Sequence, residues 1–170
     1  IGDHLLLTIE KDVSVLRSLI TANPKVKAIG EIGLDYFFTK EAELETVRRI
    51  QRKALSHFLK LAVDTDLPVI LHVRDSSDRA YNDMLEALHS HYHQSKKPFI
   101  LHCVSGPETY VQEAISMGAY VSVAGNVTYK NADHIRTLVS LVPEDKLLIE
   151  TDAPFLPPQQ YRGKQCEPWM

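Results

Sequence analysis

The chain has 170 residues, of which 44% are hydrophobic and 24% are charged, and its formal net charge is -3. This composition excludes a disordered or fibrous protein. The small net charge indicates no basic stripe, so affinity for nucleic acid would have to come from local Lys and Arg or from bound cations, and the net charge neither supports nor excludes DNA. Two cysteines are too few for a disulfide framework. No apolar run reaches the roughly 20 residues that span a bilayer. We therefore expect one cytoplasmic domain over residues 1–170, with no membrane contact.

The first part of the sequence alternates between helical and strand patterns. Apolar residues at helical spacing predict a helix over Glu10 to Ile20, which the Asn23-Pro24 pair ends. A strand follows from about Val26 to Ile32. The long amphipathic stretch from Glu41 to Thr65 predicts the clearest helix, with its basic residues on a solvated outer face. The next strand is predicted from Val69 to Val73.

The same alternation continues to the end of the sequence. Capping serines, a first-turn proline and a glycine after the last helical turn mark the ends of the later helices. The remaining predicted elements are a helix from Ser76 or Ser77 to Leu88, a strand over Phe99 to Val104, a helix from Pro107 to Met117, a strand over Tyr120 to Ala124, a helix over Asn131 to Leu141 and a strand over Lys146 to Thr151.

This order of elements predicts the fold class. Strands that alternate with helices form parallel βαβ units, and the sequence contains about five such steps. A (β/α)8 barrel has eight strands in about 250 residues, so we expect an incomplete α/β barrel of the TIM type. The alternative is a small doubly wound sheet, which would bind its ligand at a topological switch point.

Four of the apolar runs are each followed by one residue of a type that binds metals. In α/β barrels the functional side chains gather where the parallel strands end. Two imidazoles and two carboxylates at such positions favour a divalent-metal hydrolase, although any one of them alone is more often a capping or hydrogen-bonded residue. The four candidates are Glu31, His72, His102 and Asp152.

Several short motifs occur in the same order along the chain. They are Gly30-Glu31-Ile32-Gly33-Leu34-Asp35, Leu67-Pro68-Val69-Ile70-Leu71-His72-Val73-Arg74-Asp75, His102-Cys103-Val104-Ser105-Gly106, Glu150-Thr151-Asp152-Ala153-Pro154 and Arg162-Gly163-Lys164. In this order, and over nearly the whole chain, they make the sequence similar to the TatD-related metal-dependent deoxyribonucleases, which are amidohydrolase-like metal hydrolases.

The resemblance implies a (β/α) barrel in which two divalent metal ions, Mg, Mn or Zn, cleave phosphodiester bonds of DNA. By position, Glu31 matches the carboxylate that bridges the metals, and His72 and His102 match the imidazoles on one metal. Asp152 matches the carboxylate on the other metal and accepts the proton of the attacking water. Glu31 and Asp152 are therefore the expected catalytic residues.

One part of the family pattern has no counterpart here. The family carries a His-x-His pair on its first strand, and this sequence has no such strand, so we expect a chain truncated at both ends. Two alternatives to a deoxyribonuclease stay open. One is an ester or amide hydrolase of the same fold, such as an aminoacyl-tRNA deacylase, and the other is a catalytically impaired fragment.

Candidate substrate contacts lie near the same strand ends. Arg74, Arg162 and Lys164 carry the donors that a phosphate needs, although Arg74 has a salt bridge with Asp75 or Asp78 as its alternative role. The run Tyr36-Phe37-Phe38 is either rim packing or a platform for a base, and Asp35 either caps the next segment or orients a metal ligand. The expected partner is DNA, as single strands or strand ends, with no obligate protein partner.

Overall fold

The computed structural model describes the backbone of residues 2–170 and the side chains of residues 8–170. The chain forms two compact units, Ile1–Phe99 and Ile100–Met170. One domain over residues 1–170 therefore stays a prediction. No helix in the described part of the chain combines the length and the apolar character needed to cross a membrane.

The first unit contains three helices and two parallel strands. The longest helix connects the two strands, and it buries leucine side chains, as its amphipathic pattern predicts. The elements are α1 (Gly2–Ala22), β1 (Ile29–Asp35), α2 (Glu41–Thr65), β2 (Val69–Arg74) and α3 (Arg79–His91). Its core contains the fully buried side chains of Leu34, Leu55, Leu59, Leu61, Val69, Leu71, Met84 and Leu88.

The second unit repeats the alternation on a smaller scale. Its three strands pair in parallel in chain order, and Val111, Val121 and Leu138 are fully buried between the elements. The elements are β3 (Phe99–Leu101), α4 (Glu108–Ser116), β4 (Tyr120–Val123), α5 (Asp133–Ser140) and β5 (Leu147–Ile149), with short 3-10 helices at Gly125–Thr128, Glu144–Lys146 and Gln159–Tyr161.

Every helix and strand that the sequence predicts is present, but many bounds differ by one to three residues, and α1 begins at Gly2 rather than Glu10. Strand β5 ends at Ile149 rather than Thr151, and the largest differences among the strands are at β1 and β3.

Strand β1 begins at Ile29 rather than near Val26, because the Val26 N–H donates to the Asn23 carbonyl at 3.1 Å and continues the turn that follows α1. It also runs on to Asp35, since Leu34 pairs with Val73 and is fully buried.

Strand β3 ends at Leu101 rather than at Val104. Cys103 has a positive φ of 45°, a left-handed conformation that cannot continue an extended strand. The prediction that Cys103 lies in an apolar strand is therefore wrong. His102 stands directly after the strand, in the position that the sequence predicts for a functional residue.

A buried ion cluster joins three elements of the first unit. Asp83 of α3 is only 2% exposed, and its two oxygens accept hydrogen bonds from Arg48 (2.6 and 2.7 Å), Arg52 (2.8 Å) and the Tyr36 hydroxyl (3.0 Å). Burial alone raises the pKa of Asp83, but the bonds from Arg48 and Tyr36 and the charge of Arg52 hold it below its ordinary value. Two basic residues of α2 therefore bind a buried carboxylate instead of forming a fully solvated face.

Removal of the charge at Asp83 is expected to destabilise the fold strongly. The substitution Asp83→Asn keeps the size of the side chain but leaves the two guanidinium groups with only their exposed partners, Glu45 and Glu86. The free energy of unfolding should therefore fall by about 3 kcal/mol in urea denaturation. The matched control is Asp64→Asn, which breaks the 2.7 Å pair with Arg17 at a carboxylate that is 38% exposed. We expect the control to cost about 1 kcal/mol at most, and equal losses would contradict the role of burial.

The same carboxylate gives the fold a pH dependence. Because the pKa of Asp83 lies below its ordinary value of 3.8, the ionised form stabilises the folded chain fully above that pH. This contribution is lost as the pH falls from 3.8 through the lower pKa of the folded state. We therefore expect the stability of the wild-type protein to decrease more steeply below about pH 4 than that of Asp83→Asn, as measured by urea titrations at a series of pH values. Parallel curves would exclude the mechanism.

Candidate metal centre

Two of the predicted ligands lie together on the paired strands of the first unit. Glu31 of β1 and His72 of β2 offer ligand atoms within 4.8 Å of each other. Glu31 lies inside β1, as it does in the strand predicted over Val26 to Ile32, at the point where the strand register shifts between Ile29 and Ile32. The irregularity leaves Glu31 exposed, so a carboxylate at this position is accessible to a ligand.

A glycine sets the spacing of the two strands at this point. Gly33 is the register partner of His72, and a Cβ atom built on Gly33 lies 1.7 Å from the His72 carbonyl oxygen. No other residue type fits without moving one strand away from the other. The Gly33 position in the first motif therefore determines how close Glu31 is to His72.

Asp35 contacts His72 from the end of β1. One Asp35 oxygen lies 3.4 Å from His72 Nε2, and the other accepts the Phe37 N–H at 3.0 Å. The Gln51 side chain of α2 binds the Asp35 backbone on both sides, since its Oε1 accepts the Asp35 N–H at 2.8 Å and its Nε2 donates to the Asp35 carbonyl at 2.9 Å. Asp35 thus combines both roles that the sequence left open: it closes a local turn and faces the imidazole.

In the second unit, His102 lies between two carboxylates. Its Nδ1 lies 2.5 Å from Glu150 Oε2, and its Nε2 lies 3.8 Å from Asp152 Oδ1. Glu150 accepts at Nδ1, so the imidazole carries its proton there and directs Nε2 towards Asp152. Metal-binding histidines are typically held in this way by a carboxylate behind the ring.

Sequence reasoning missed the role of Glu150. The second oxygen of this carboxylate accepts hydrogen bonds from the Cys103 N–H (2.5 Å) and the Ser122 hydroxyl (2.6 Å). Burial alone raises the pKa of Glu150, but the hydrogen bonds from His102, Ser122 and Cys103 outweigh it and hold that pKa below its ordinary value. The available signal was a second acid two residues before Asp152, because alternate residues of an extended segment share a side.

The cationic groups of the three candidate phosphate-binding residues all lie within about 6 Å of the centre of an aromatic ring. The Arg74 guanidinium carbon, at the end of β2, lies 4.2 Å from the centre of the Phe37 ring. In the second unit, Arg162 lies 4.4 Å from the Tyr129 ring centre and Lys164 lies 5.9 Å from that of Tyr161. Arg74 therefore contacts an aromatic ring rather than the acidic residues that the sequence offered as its alternative partners.

Comparison with known proteins identifies the class to which this arrangement belongs. The family model described as TatD related DNase matches residues 7–170. The chain is 37% identical over 159 residues to YabD of Bacillus subtilis, covering 94% of this chain and 58% of that protein. It is 35% identical over 159 residues to YcfH of Escherichia coli K12, covering 94% of this chain and 56% of that protein. Both relatives are described as uncharacterized metal-dependent hydrolases.

Solved structures agree with this result. The crystal structure of YjjV, a TatD homologue from Escherichia coli K12, superposes with a TM-score of 0.76 at 29% identity, covering 94% of this chain and 57% of that chain. The chain belongs to the TatD related DNase family. The fold class predicted from the sequence, an incomplete α/β barrel with parallel strands, is confirmed. The chain spans a little over half the length of these relatives.

The close approach at Gly33 leads to a test that separates metal binding from stability. We expect Gly33→Ala to push β1 away from His72 and to weaken the binding of Mn²⁺ by about tenfold or more, as measured by calorimetry. The control is Gly118→Ala at the end of α4, where φ is +99° and nothing lies within 4 Å of the added Cβ. This control should lower stability by about 1 kcal/mol and leave metal affinity unchanged. Equal metal affinity in the two variants would contradict the assignment.

Proposed function

We propose that the protein is a metal-dependent hydrolase that cleaves phosphodiester bonds of DNA with two divalent cations, Mg²⁺, Mn²⁺ or Zn²⁺. The observation that carries the proposal is that each unit holds an imidazole and a carboxylate in close proximity, within the strands of the first unit and just after the strands of the second. These pairs are Glu31 with His72, and His102 with Asp152. Membership of the TatD related DNase family supports the choice of DNA as substrate.

The donor atoms suit such cations. Carboxylate oxygens and imidazole nitrogens together suit Mg²⁺, Mn²⁺ and Zn²⁺. In the proposed assignment, Glu31 and His72 of the first unit and His102 and Asp152 of the second would hold the cations. The bond from His102 Nδ1 to Glu150 supports this assignment, because it fixes the tautomer in which Nε2 is the ligand.

Different residues of the chain have different roles in the proposed hydrolysis. When held there, the cations would neutralise charge on the phosphodiester and lower the pKa of the attacking water. The Asp152 carboxylate would accept the proton of that water, and Asp35 and Glu150 would hold the two imidazoles in place. The guanidinium groups of Arg74 and Arg162 and the Lys164 ammonium donate to the non-bridging phosphate oxygens.

Three further features complete the proposal. The substrate is DNA as single strands or strand ends, the protein acts in the cytoplasm, and no protein partner is required. Because the chain covers only 56–58% of the curated relatives, the full-length protein is the right object for an assay of activity.

The test follows the release of nucleotides from end-labelled single-stranded DNA with Mg²⁺ or Mn²⁺. We expect release to stop when a chelator is added and to fall by about 100-fold or more in Asp152→Asn, because the substitution removes both a ligand and the proton acceptor. Asp145→Asn, at an exposed position of the same unit, is the matched control and should keep full activity.

Metal-dependent release that Asp152→Asn abolishes and Asp145→Asn preserves would support a DNA hydrolase. Absence of release by a folded, metal-loaded protein would overturn the choice of DNA. Ester and amide substrates, including aminoacyl-tRNA, would then be assayed with the same variants, since one fold hosts many hydrolytic reactions.

A further inference from the structure

Two aromatic side chains are exposed directly after β1. Phe37 is 42% exposed and Phe38 is 78% exposed, and their rings meet edge to face with centroids 4.9 Å apart. Exposure of a large apolar ring forfeits the free energy that its burial would give. Two adjacent exposed rings beside a candidate metal centre form an apolar surface that a ligand at that centre could contact.

The segment that carries these rings is firmly anchored. The preceding residue, Tyr36, is buried and donates its hydroxyl proton to Asp83, while its N–H donates to the Arg74 carbonyl at 2.9 Å. The Phe37 N–H donates to Asp35, the same carboxylate that faces His72. The backbone that carries the rings is thus anchored beside the candidate ligands of the first unit.

Arg74 completes the cluster. Its guanidinium carbon lies 4.2 Å from the centre of the Phe37 ring and 4.8 Å from that of Phe38. A guanidinium stacked on a ring keeps its N–H groups in the guanidinium plane, where they can bind a phosphate in bidentate fashion. Arg74 is also the register partner of Asp35, two residues beyond His72 on the same strand.

We propose that Phe37, Phe38 and Arg74 form a nucleotide subsite, in which a base of the DNA strand stacks on Phe38 and Arg74 binds the adjacent phosphate. The inference rests on the proposed function and extends it to substrate selection. Bases stack on aromatic side chains whatever their identity, because every base has a π-face. The subsite therefore favours an unpaired base, without sequence preference, over a base that is stacked inside a duplex.

The test compares two single-stranded oligonucleotides that share all phosphates. One carries a base at each terminal nucleotide, and the other carries abasic tetrahydrofuran there. With the full-length protein, we expect Phe38→Leu to raise KM about tenfold for the first oligonucleotide and to leave KM for the second within about twofold, with kcat unchanged for both. Phe38→Tyr keeps the ring and should restore the wild-type KM.

A substitution of Arg74 tests the phosphate contact independently of the stacking contact. Arg74→Gln removes the phosphate donor, which both oligonucleotides require, so it should raise KM for both by the same factor. An equal effect of Phe38→Leu on the two oligonucleotides, or no effect on either, would overturn the stacking role. Thermal unfolding of Phe38→Leu at the wild-type temperature is expected, because the side chain is mostly exposed.

Cleavage of the abasic strand and binding of the two strands distinguish failure of the subsite from failure of the nuclease proposal. Metal-dependent hydrolysis of the abasic oligonucleotide tests the nuclease without the ring. If neither oligonucleotide is cleaved, the subsite is tested without catalysis. Fluorescence anisotropy then measures how tightly each labelled strand binds to chelator-treated protein. Weaker binding of only the base-bearing strand to Phe38→Leu supports the subsite, and equal binding of the two strands to both proteins overturns it.

Discussion

The candidate centre of the first unit depends on how closely β1 and β2 approach at Gly33. The lack of a side chain at this position lets the backbone of β1 lie against the His72 carbonyl. Glu31, two residues earlier, and Asp35, two residues later, then reach the same imidazole from one strand. A single steric constraint thus positions a candidate ligand and the residue that orients its partner.

Each unit contains an imidazole with two nearby carboxylates, but the imidazole of the second unit is held more firmly. In each, one carboxylate contacts a ring nitrogen of the imidazole, and a second carboxylate lies nearby. Asp35 lies 3.4 Å from His72 Nε2, and both side chains are partly exposed. Glu150 lies 2.5 Å from Nδ1 of buried His102 and accepts two further hydrogen bonds at its other oxygen. The imidazole of the second unit is therefore the more strongly preorganised of the two.

Most of the fold could be predicted from local pattern. Alternating apolar runs and amphipathic stretches gave all five strands and five helices, because each signal lies within a few neighbouring residues. Strand bounds were less accurate where backbone geometry decides them, as at Cys103 with its left-handed conformation. The positions of His102 and Asp152 near strand ends follow from the same pattern.

Contacts between distant residues could not be predicted in this way. Asp83 binds Arg48 and Arg52, which precede it by 35 and 31 positions, and no local pattern pairs them. The role of Glu150 was missed for the same reason, because its partners come from β4 and from the backbone after β3. The stacking of Arg74 on the Phe37 ring likewise depends on the turn after β1.

The surroundings of Glu150 restrict what can stand at this position. Its contacts are with an imidazole N–H, a hydroxyl and a backbone N–H, so every neighbour acts as a donor. An amide side chain of the same length would turn one donor of its own towards a donor of the protein. Position 150 therefore requires an anion, and the fold keeps a negative charge behind His102 whether or not a cation is bound. That charge makes the imidazole a stronger electron-pair donor. The Glu150 carboxylate therefore contributes to the affinity for a cation without contacting the cation itself.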